Sequence, residues 1–330
     1  MGHGSSLPEH LRSPAHDLHR RAGEAFCLGP QTVGASSLAA VQIDFEDVVR
    51  RTVEETASGL LARSRWFLPD NRPMIRLIAT DLDGTLLQPG GVLSDRTRAT
   101  LHAVDADVVV VTARPPRFVQ DLALTGTAIC SNGAMIYDLT NREVTHAQTV
   151  PLDVVRKVSE ALAEVIPNVG IAVETGFEVL SEPGFQGFGP KNPHRTLELL
   201  DHVFEEAHQV VQMLAWAPDA EVDHMMEIAR EAVGQHVSVT HSGGLGLLEI
   251  SPPGVSKAAT LESLCNTRGI GKHEVIAFGD MPNDLSVLGW AGTAYAMGNA
   301  HPLVKQACTN HAPPNTEDGV AQILEQLFRI

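Results

Sequence analysis

The chain lacks several things that would have narrowed its class at once. No apolar run approaches the ~18 residues needed to cross a bilayer, so the expectation is a soluble globular protein with no membrane partner. Cysteine is scarce and scattered: Cys27, Cys130, Cys265 and Cys308 form no C-x-x-C pair. The N-terminus also lacks the charged-then-apolar layout of a secretory signal, and reduced thiols in a cytoplasm are the simplest account. Positive charge is short, with 24 basic against 40 acidic residues and a formal net charge of -16. Such a field repels polyanions and argues against a general nucleic-acid binder. It also means that an anionic substrate needs local groups to overcome it, which makes a divalent cation an expected part of the site.

Lysine is absent from residues 1–73, which carry eight Arg against nine Asp plus Glu. The first forty residues show no sustained period and read as disordered. From Asp44 to Phe67, apolar residues at Phe45, Val48, Val49, Val53, Ala57, Leu60 and Leu61 fit an amphipathic helix. His16 and His19 have a spacing that suits metal on a helix, but a solvated tail is the preferred reading. Met74 stands directly before the first strand, so residues 1–73 read as an extension, or an upstream start, that the folded body does not need.

After Met74, strands and helices alternate. Ile75 to Thr80 and Asp107 to Thr112 are short strands apolar on both faces, as a buried parallel sheet requires. Ser94 opens a capped helix, Thr127 to Cys130 is a third strand, and Glu274 to Phe278 a fourth. The core is therefore α/β, drawn from residues 74–150 and 250–330. Between them, residues 151–249 mix helices (Val154 to Ile166, Asp219 to Val233) with strands at Gly170 to Glu174 and Val210 to Trp216. A hairpin follows around Gly243-Gly244, which suggests a small inserted α+β domain. Its segment Gly184 to Pro190 reads either as a loop with two exposed aromatics, Phe185 and Phe188, able to close over a ligand, or as a surface loop whose Phe residues pack inward.

Polar residues gather after strand ends, where ligands bind in open α/β sheets. The most informative cluster is Ile78 to Leu87, IATDLDGTLL. Asp81 and Asp83 lie one residue apart at the tip of an apolar strand, where two anions repel and resist desolvation. A cation resolves this, and Mg²⁺ takes the hard oxygen ligands on offer. A carboxylate can attack phosphorus, and a second one nearby can give and take the protons. Thr112 after a strand can bond a phosphate oxygen, Lys257 ahead of a helix can hold its charge, and Asp280 and Asp284 add acids at another strand end. Taken singly, these read as a strand-end cap, a solvated lysine and a turn with helix caps. Together they supply the parts of a metal-assisted phosphoryl transfer.

These clusters resemble the haloacid dehalogenase superfamily and, within it, the Cof-like phosphatases. The likeness rests on Asp81-Leu82-Asp83-Gly84-Thr85, Thr112-Ala113-Arg114, Ser131-Asn132-Gly133-Ala134, Gly254-Val255-Ser256-Lys257 and Gly279-Asp280-Met281-Pro282-Asn283-Asp284. It extends through Ala296 to Ala300 and Glu317 to Val320, and covers Met74 to the C-terminus. The resemblance implies a Rossmann-like core with helices on both faces of the sheet and an inserted cap. It implies Asp81 as nucleophile and Asp83 as general acid and base. Phosphate contacts would come from the Leu82 and Asp83 amides, Thr112, Lys257 and Asn283. Asp81, the Asp83 carbonyl and Asp280 would ligate Mg²⁺, with Asp284 behind or beside them, and Arg114 and Asn132 would face the substrate. Ala113 departs from the Gly common at that position. The expected activity is hydrolysis of a small phosphorylated metabolite, a sugar phosphate first and a phosphorylated cofactor next. A phosphomutase or phosphotransferase using the same intermediate is the nearest rival, and a non-catalytic phospholigand-binding relative the other class. Arg117, Asn192 and His194 are positions for a mutational scan only, and the sequence is silent on oligomeric state.

Overall fold

The structure, a computed structural model, describes residues 74–186, 194–243 and 246–330. The helix expected from Asp44 to Phe67, the histidines His16 and His19, and Cys27, Phe188, Asn192 and Gly244 lie outside the described residues. In chain order the described strands begin with β1 (Leu77–Thr80), β2 (Asp107–Val111), β3 (Thr127–Cys130), β4 (Met135–Asp138) and β5 (Glu143–Ala147). Next come β6 (Gly170–Glu174), β7 (Val179–Ser181), β8 (Arg195–Thr196), β9 (Gln212–Trp216), β10 (Ser238–Thr240) and β11 (Leu247–Ser251). The last are β12 (Val275–Gly279), β13 (Thr293–Met297) and β14 (Asn310–Ala312).

The first sheet has the order β14-β13-β12-β1-β2-β3-β4-β5. It is parallel from β14 through β3, with β4 and β5 added as an antiparallel edge. Helices cover both faces, which is why β1 can be apolar throughout: Leu77, Ile78 and Ala79 are fully buried. The helix expected after Ser94 is Asp95–Ala103, and the Ser94 hydroxyl caps it by accepting from the Thr97 amide at 3.1 Å. The antiparallel edge was not foreseen from the sequence. Its cause is local: Ser131, Asn132 and Gly133 all hold positive φ (47°, 55° and 105°), a tight reversal that turns the chain back from β3 into β4.

The second sheet has the order β10-β11-β9-β6-β7-β8. β11 runs through Ser251, across the sequence-drawn boundary between residues 249 and 250. One face packs on the helices Leu152–Val165 and Val222–Val233 through Val173, Met213, Ala215, Leu248 and Ile250. Alternation at period 2 sends Glu174, Gln212, Leu214 and Glu249 to the other face. There Ala172, Val179, Leu214 and Phe185 form a small apolar cluster. Phe185 is buried and meets the rings of Trp216 and His194 edge-on at 6.4 and 5.9 Å, so it packs inward. A Phe side chain gains roughly 2–3 kcal/mol from such burial, which an open lid would forgo. The short helix Leu200–Glu206 and the strands β7 and β8 had no sequence reading.

Candidate active site

β1 lies between β2 and β12, parallel to both, so three carboxyl ends open side by side. Asp81 follows β1, Thr112 follows β2 and Asp280 follows β12. Lys257 reaches the same point from the first turn of helix Lys257–Arg268, which Ser256 caps. Its Nζ donates to Asp81 Oδ1 at 2.7 Å and to Asp284 Oδ1 at 2.6 Å, and all three side chains are buried. Burial alone would depress the lysine pKa, but Asp284 and Asp81 outweigh it and hold the ammonium above its ordinary value. Gly133 allows this approach: a Cβ there would stand 2.4 Å from the Ser256 carbonyl oxygen.

Asp81, Asp280 and Asp284 can each place a carboxylate oxygen within 4.8 Å of the other two. Burial, with Asp284 and Asp280 adding repulsion, raises the Asp81 pKa even against the pull of Lys257. Burial followed by the charge of Asp284 pushes Asp280 up to about 7. Three buried acids against one ammonium leave negative charge uncompensated, and the donors are hard oxygens, so the set fits Mg²⁺. The three acids are not equivalent. Asp284 spends Oδ1 on Lys257 and Oδ2 on the Asp280 and Met281 amides at 2.9 and 3.0 Å, so it orients its neighbours. Asp280 is steadied by Thr85 Oγ1 at 2.8 Å. Gly84 sits against it with φ +78°, where a Cβ would come to 2.2 Å from Asp280 Oδ2.

Asp83 is exposed and forms a two-pronged pair with Arg114, Nε and Nη2 each 2.6 Å from a carboxylate oxygen. Arg114 thus spends its guanidinium on Asp83. Thr112 Oγ1 accepts from the Arg114 amide at 3.1 Å. Asn132 Nδ2 donates to Glu249 at 2.9 Å, and its Oδ1 accepts from Asn283 Nδ2 at 3.0 Å. Asn132 and Asn283 therefore tie the first sheet to the second. Arg117 pairs with Glu174 at 3.0 Å, and His194 contacts Phe185.

A cavity of about 530 Å³ joins these groups; Asp81, Asp83, Thr112, Arg114 and Asn283 line one side and Glu174, Gln212, Leu214, Ser242, Leu247 and Glu249 the other. The sequence reading missed this second wall. Its signal was a charged residue inside an apolar strand, the Glu of GIAVE and of LLEIS, since Glu is seldom fully buried without a partner.

A family model described as haloacid dehalogenase-like hydrolase matches residues 78–324. The chain is 30% identical to 5-amino-6-(5-phospho-D-ribitylamino)uracil phosphatase YitU of Bacillus subtilis, a match that spans 77% of this chain and 98% of that protein. It is also 30% identical to pyridoxal phosphate phosphatase YbhA of Escherichia coli, over 76% of this chain and 97% of that one. Among solved structures, a haloacid dehalogenase-like hydrolase from Bacteroides thetaiotaomicron superposes with a TM-score of 0.63 at 28% identity, covering 77% of this chain and 100% of that chain. The chain belongs to the haloacid dehalogenase-like hydrolases, in their Cof-like branch. It is an enzyme of the phosphatase type.

Proposed function

We propose that the protein is a Mg²⁺-dependent phosphohydrolase of small phosphorylated metabolites that works through an aspartyl-phosphate on Asp81. The observation that carries this reading is the convergence of Asp81, Lys257, Asp280 and Asp284 at the end of β1, where Asp81 lines a cavity. An Asp81 carboxylate oxygen attacks phosphorus while the bond to the ester oxygen breaks. Protonated Asp83 gives its proton to that oxygen, which departs as an alcohol. Asp83, now a carboxylate, then takes a proton from water as the water oxygen attacks phosphorus. The bond to Asp81 breaks, inorganic phosphate leaves, and both acids return to their starting forms.

The Leu82 and Asp83 amides, the Thr112 hydroxyl and the Lys257 ammonium hold the non-reacting phosphoryl oxygens, with Asn283 supporting them. Asp81, the Asp83 carbonyl and Asp280 would ligate Mg²⁺, and Asp284 would orient them. Bound there, the ion supplies Lewis-acid stabilisation of phosphoryl charge. Delivery of the Asp83 proton requires the pair with Arg114 to open, and the exposure of Asp83 leaves it room to move. The relatives named for phosphoribitylaminouracil and pyridoxal phosphate support a phosphorylated metabolite of that size, with sugar phosphates in the same range.

The test is phosphate release from a panel of phosphorylated metabolites with Mg²⁺ and then with EDTA. Release that depends on metal and falls at least about 10³-fold in Asp81→Asn is the expected result. Activity retained in that variant would remove Asp81 from the nucleophile's role. Transfer to an added sugar phosphate without free phosphate would indicate a mutase.

A further inference from the structure

The wall contributed by the second sheet has a definite chemistry. Glu174 stands opposite Gln212 in the β6/β9 register, and Glu249 opposite Leu214 in the β11/β9 register. Glu174, Gln212 and Glu249 are all buried. Glu249 is occupied by the Asn132 amide and the Ser242 hydroxyl, whereas Gln212 Oε1 is buried with no partner. The strands of this wall contribute no Lys or Arg to the cavity lining. Of the two guanidinium groups nearby, Arg114 is committed to Asp83, and Arg117 is paired with Glu174 through Nη2, its buried, unpartnered Nη1 lying outside the cavity lining. Between the polar groups lie Pro115, Phe118, Leu214, Leu247 and Met281, an apolar lining for the body of a ligand.

An unpaired buried acceptor is relieved by a donor, and a second anion brought beside two buried carboxylates meets repulsion with little water to screen it. We propose that Gln212, Glu174 and Glu249 form the leaving-group subsite and select an uncharged or cationic leaving group with an apolar body and N–H donors, rejecting one with a second anionic group. This rests on the phosphohydrolase reading for the orientation of the ligand, phosphate toward Asp81 and leaving group toward the second sheet. Burial, partly offset by Arg117, raises Glu174 to about 7, and burial raises Glu249 also, so the repulsion between this wall and a second anion is fullest above pH 7.

The experiment measures binding rather than turnover, so that it stands apart from the hydrolase test. Calorimetric titration of full-chain Asp81→Asn, with Mg²⁺ present, compares pyridoxamine 5′-phosphate (a cationic N–H donor with an apolar ring) with 3-phosphoglycerate (a second anion). The expected result is a preference of about 100-fold for the amine, the upper end of what one buried hydrogen-bonding group left unpaired costs. Adding Gln212→Leu should shrink that ratio about tenfold by weakening the amine, the typical net worth of one hydrogen bond, and adding Glu174→Gln should shrink it by strengthening the anion. Should the Glu174 variant fail to fold, the Gln212 variant carries the test alone. Equal affinity for the two probes, or a ratio that Gln212→Leu leaves unmoved, overturns the proposal. Absence of phosphate release from wild type with this selectivity intact would instead overturn the hydrolase reading and keep the subsite.

Discussion

The two walls of the cavity are built on opposite plans. On the β1 side the charged groups are tied to one another: Lys257 to Asp81 and Asp284, Asp284 to two backbone amides, Asp280 to Thr85, Asp83 to Arg114. On the β9 side Glu174 and Glu249 are paired, with Arg117 and with Asn132 and Ser242, but Gln212 Oε1, between them on the cavity face, has no partner. The first plan fixes charges in advance of a reaction whose charge distribution is always the same, as electrostatic preorganisation requires. The second leaves hydrogen-bonding capacity for a ligand whose shape is particular to this enzyme. One amide on the β1 side breaks the pattern: Asn283 Oδ1 is buried without a partner at the cavity edge. A fixed wall should be fragile to substitution, and an open one tolerant.

Lys257→Met tests the fixed wall hardest. It removes the one ammonium between two buried carboxylates and leaves both uncompensated, which should cost about 3–5 kcal/mol of stability. Urea unfolding of the variant checks this. A loss under ~1 kcal/mol would mean that the triad relaxes freely, and the contrast between the walls would fail.

This contrast also explains what the sequence made legible. Asp81-Leu82-Asp83-Gly84, Gly254-Val255-Ser256-Lys257 and Gly279-Asp280-Met281-Pro282-Asn283-Asp284 are contiguous segments following strand ends, so one turn carries several groups of the fixed wall. The parallel strands that bring the turns together were visible as apolar runs. Glu174, Gln212 and Glu249 come from three strands, and only the β11-β9-β6 register makes them neighbours. No local pattern encodes that register. The pairings of Arg114 with Asp83 and of Asn132 with Glu249 were hidden for the same reason: each joins side chains far apart in the chain, and a residue's spacing within its motif does not say which partner it meets.

The two sheets are also joined by Asp223. Backbone amides of Gly243 and Leu303 donate to Nδ1 of His241 and His301, so His241 donates from Nε2 to Asp223 Oδ1 at 2.9 Å, and His301 Nε2 lies 3.3 Å from Oδ2. Asp223→Ala leaves the buried His241 N–H without its acceptor and should cost about 1–3 kcal/mol. Unchanged stability in the same urea titration would mean that the bridge is not made in solution.

Smaller again is the effect of acid on the fixed wall. With Asp280 at about 7 and Asp81 raised, protons compete for the oxygens proposed to hold Mg²⁺. Ligands must be deprotonated to bind metal, so affinity should fall as the pH drops through 7, by about tenfold per pH unit for each proton displaced. Calorimetric Mg²⁺ titrations at pH 8 and pH 6 check the sign. Tighter binding at pH 6 would contradict the assignment.

The smallest effect should have the opposite sign, and it bears most directly on the open wall. Gln212→Leu replaces a buried carbonyl oxygen that has no partner with an apolar group of similar size, on a face where Leu214 and Leu247 already lie. Removing an unsatisfied buried acceptor relieves a desolvation penalty of about 1–3 kcal/mol. The net expectation is a gain of about 1 kcal/mol in the ligand-free protein, read as a rise in melting temperature, together with the weakened amine binding described above. Stability and binding then move in opposite directions at one residue, as they must where an open valence is kept for a ligand. A variant less stable than wild type would show that Gln212 is already satisfied without a ligand, and the second wall would be as fixed as the first.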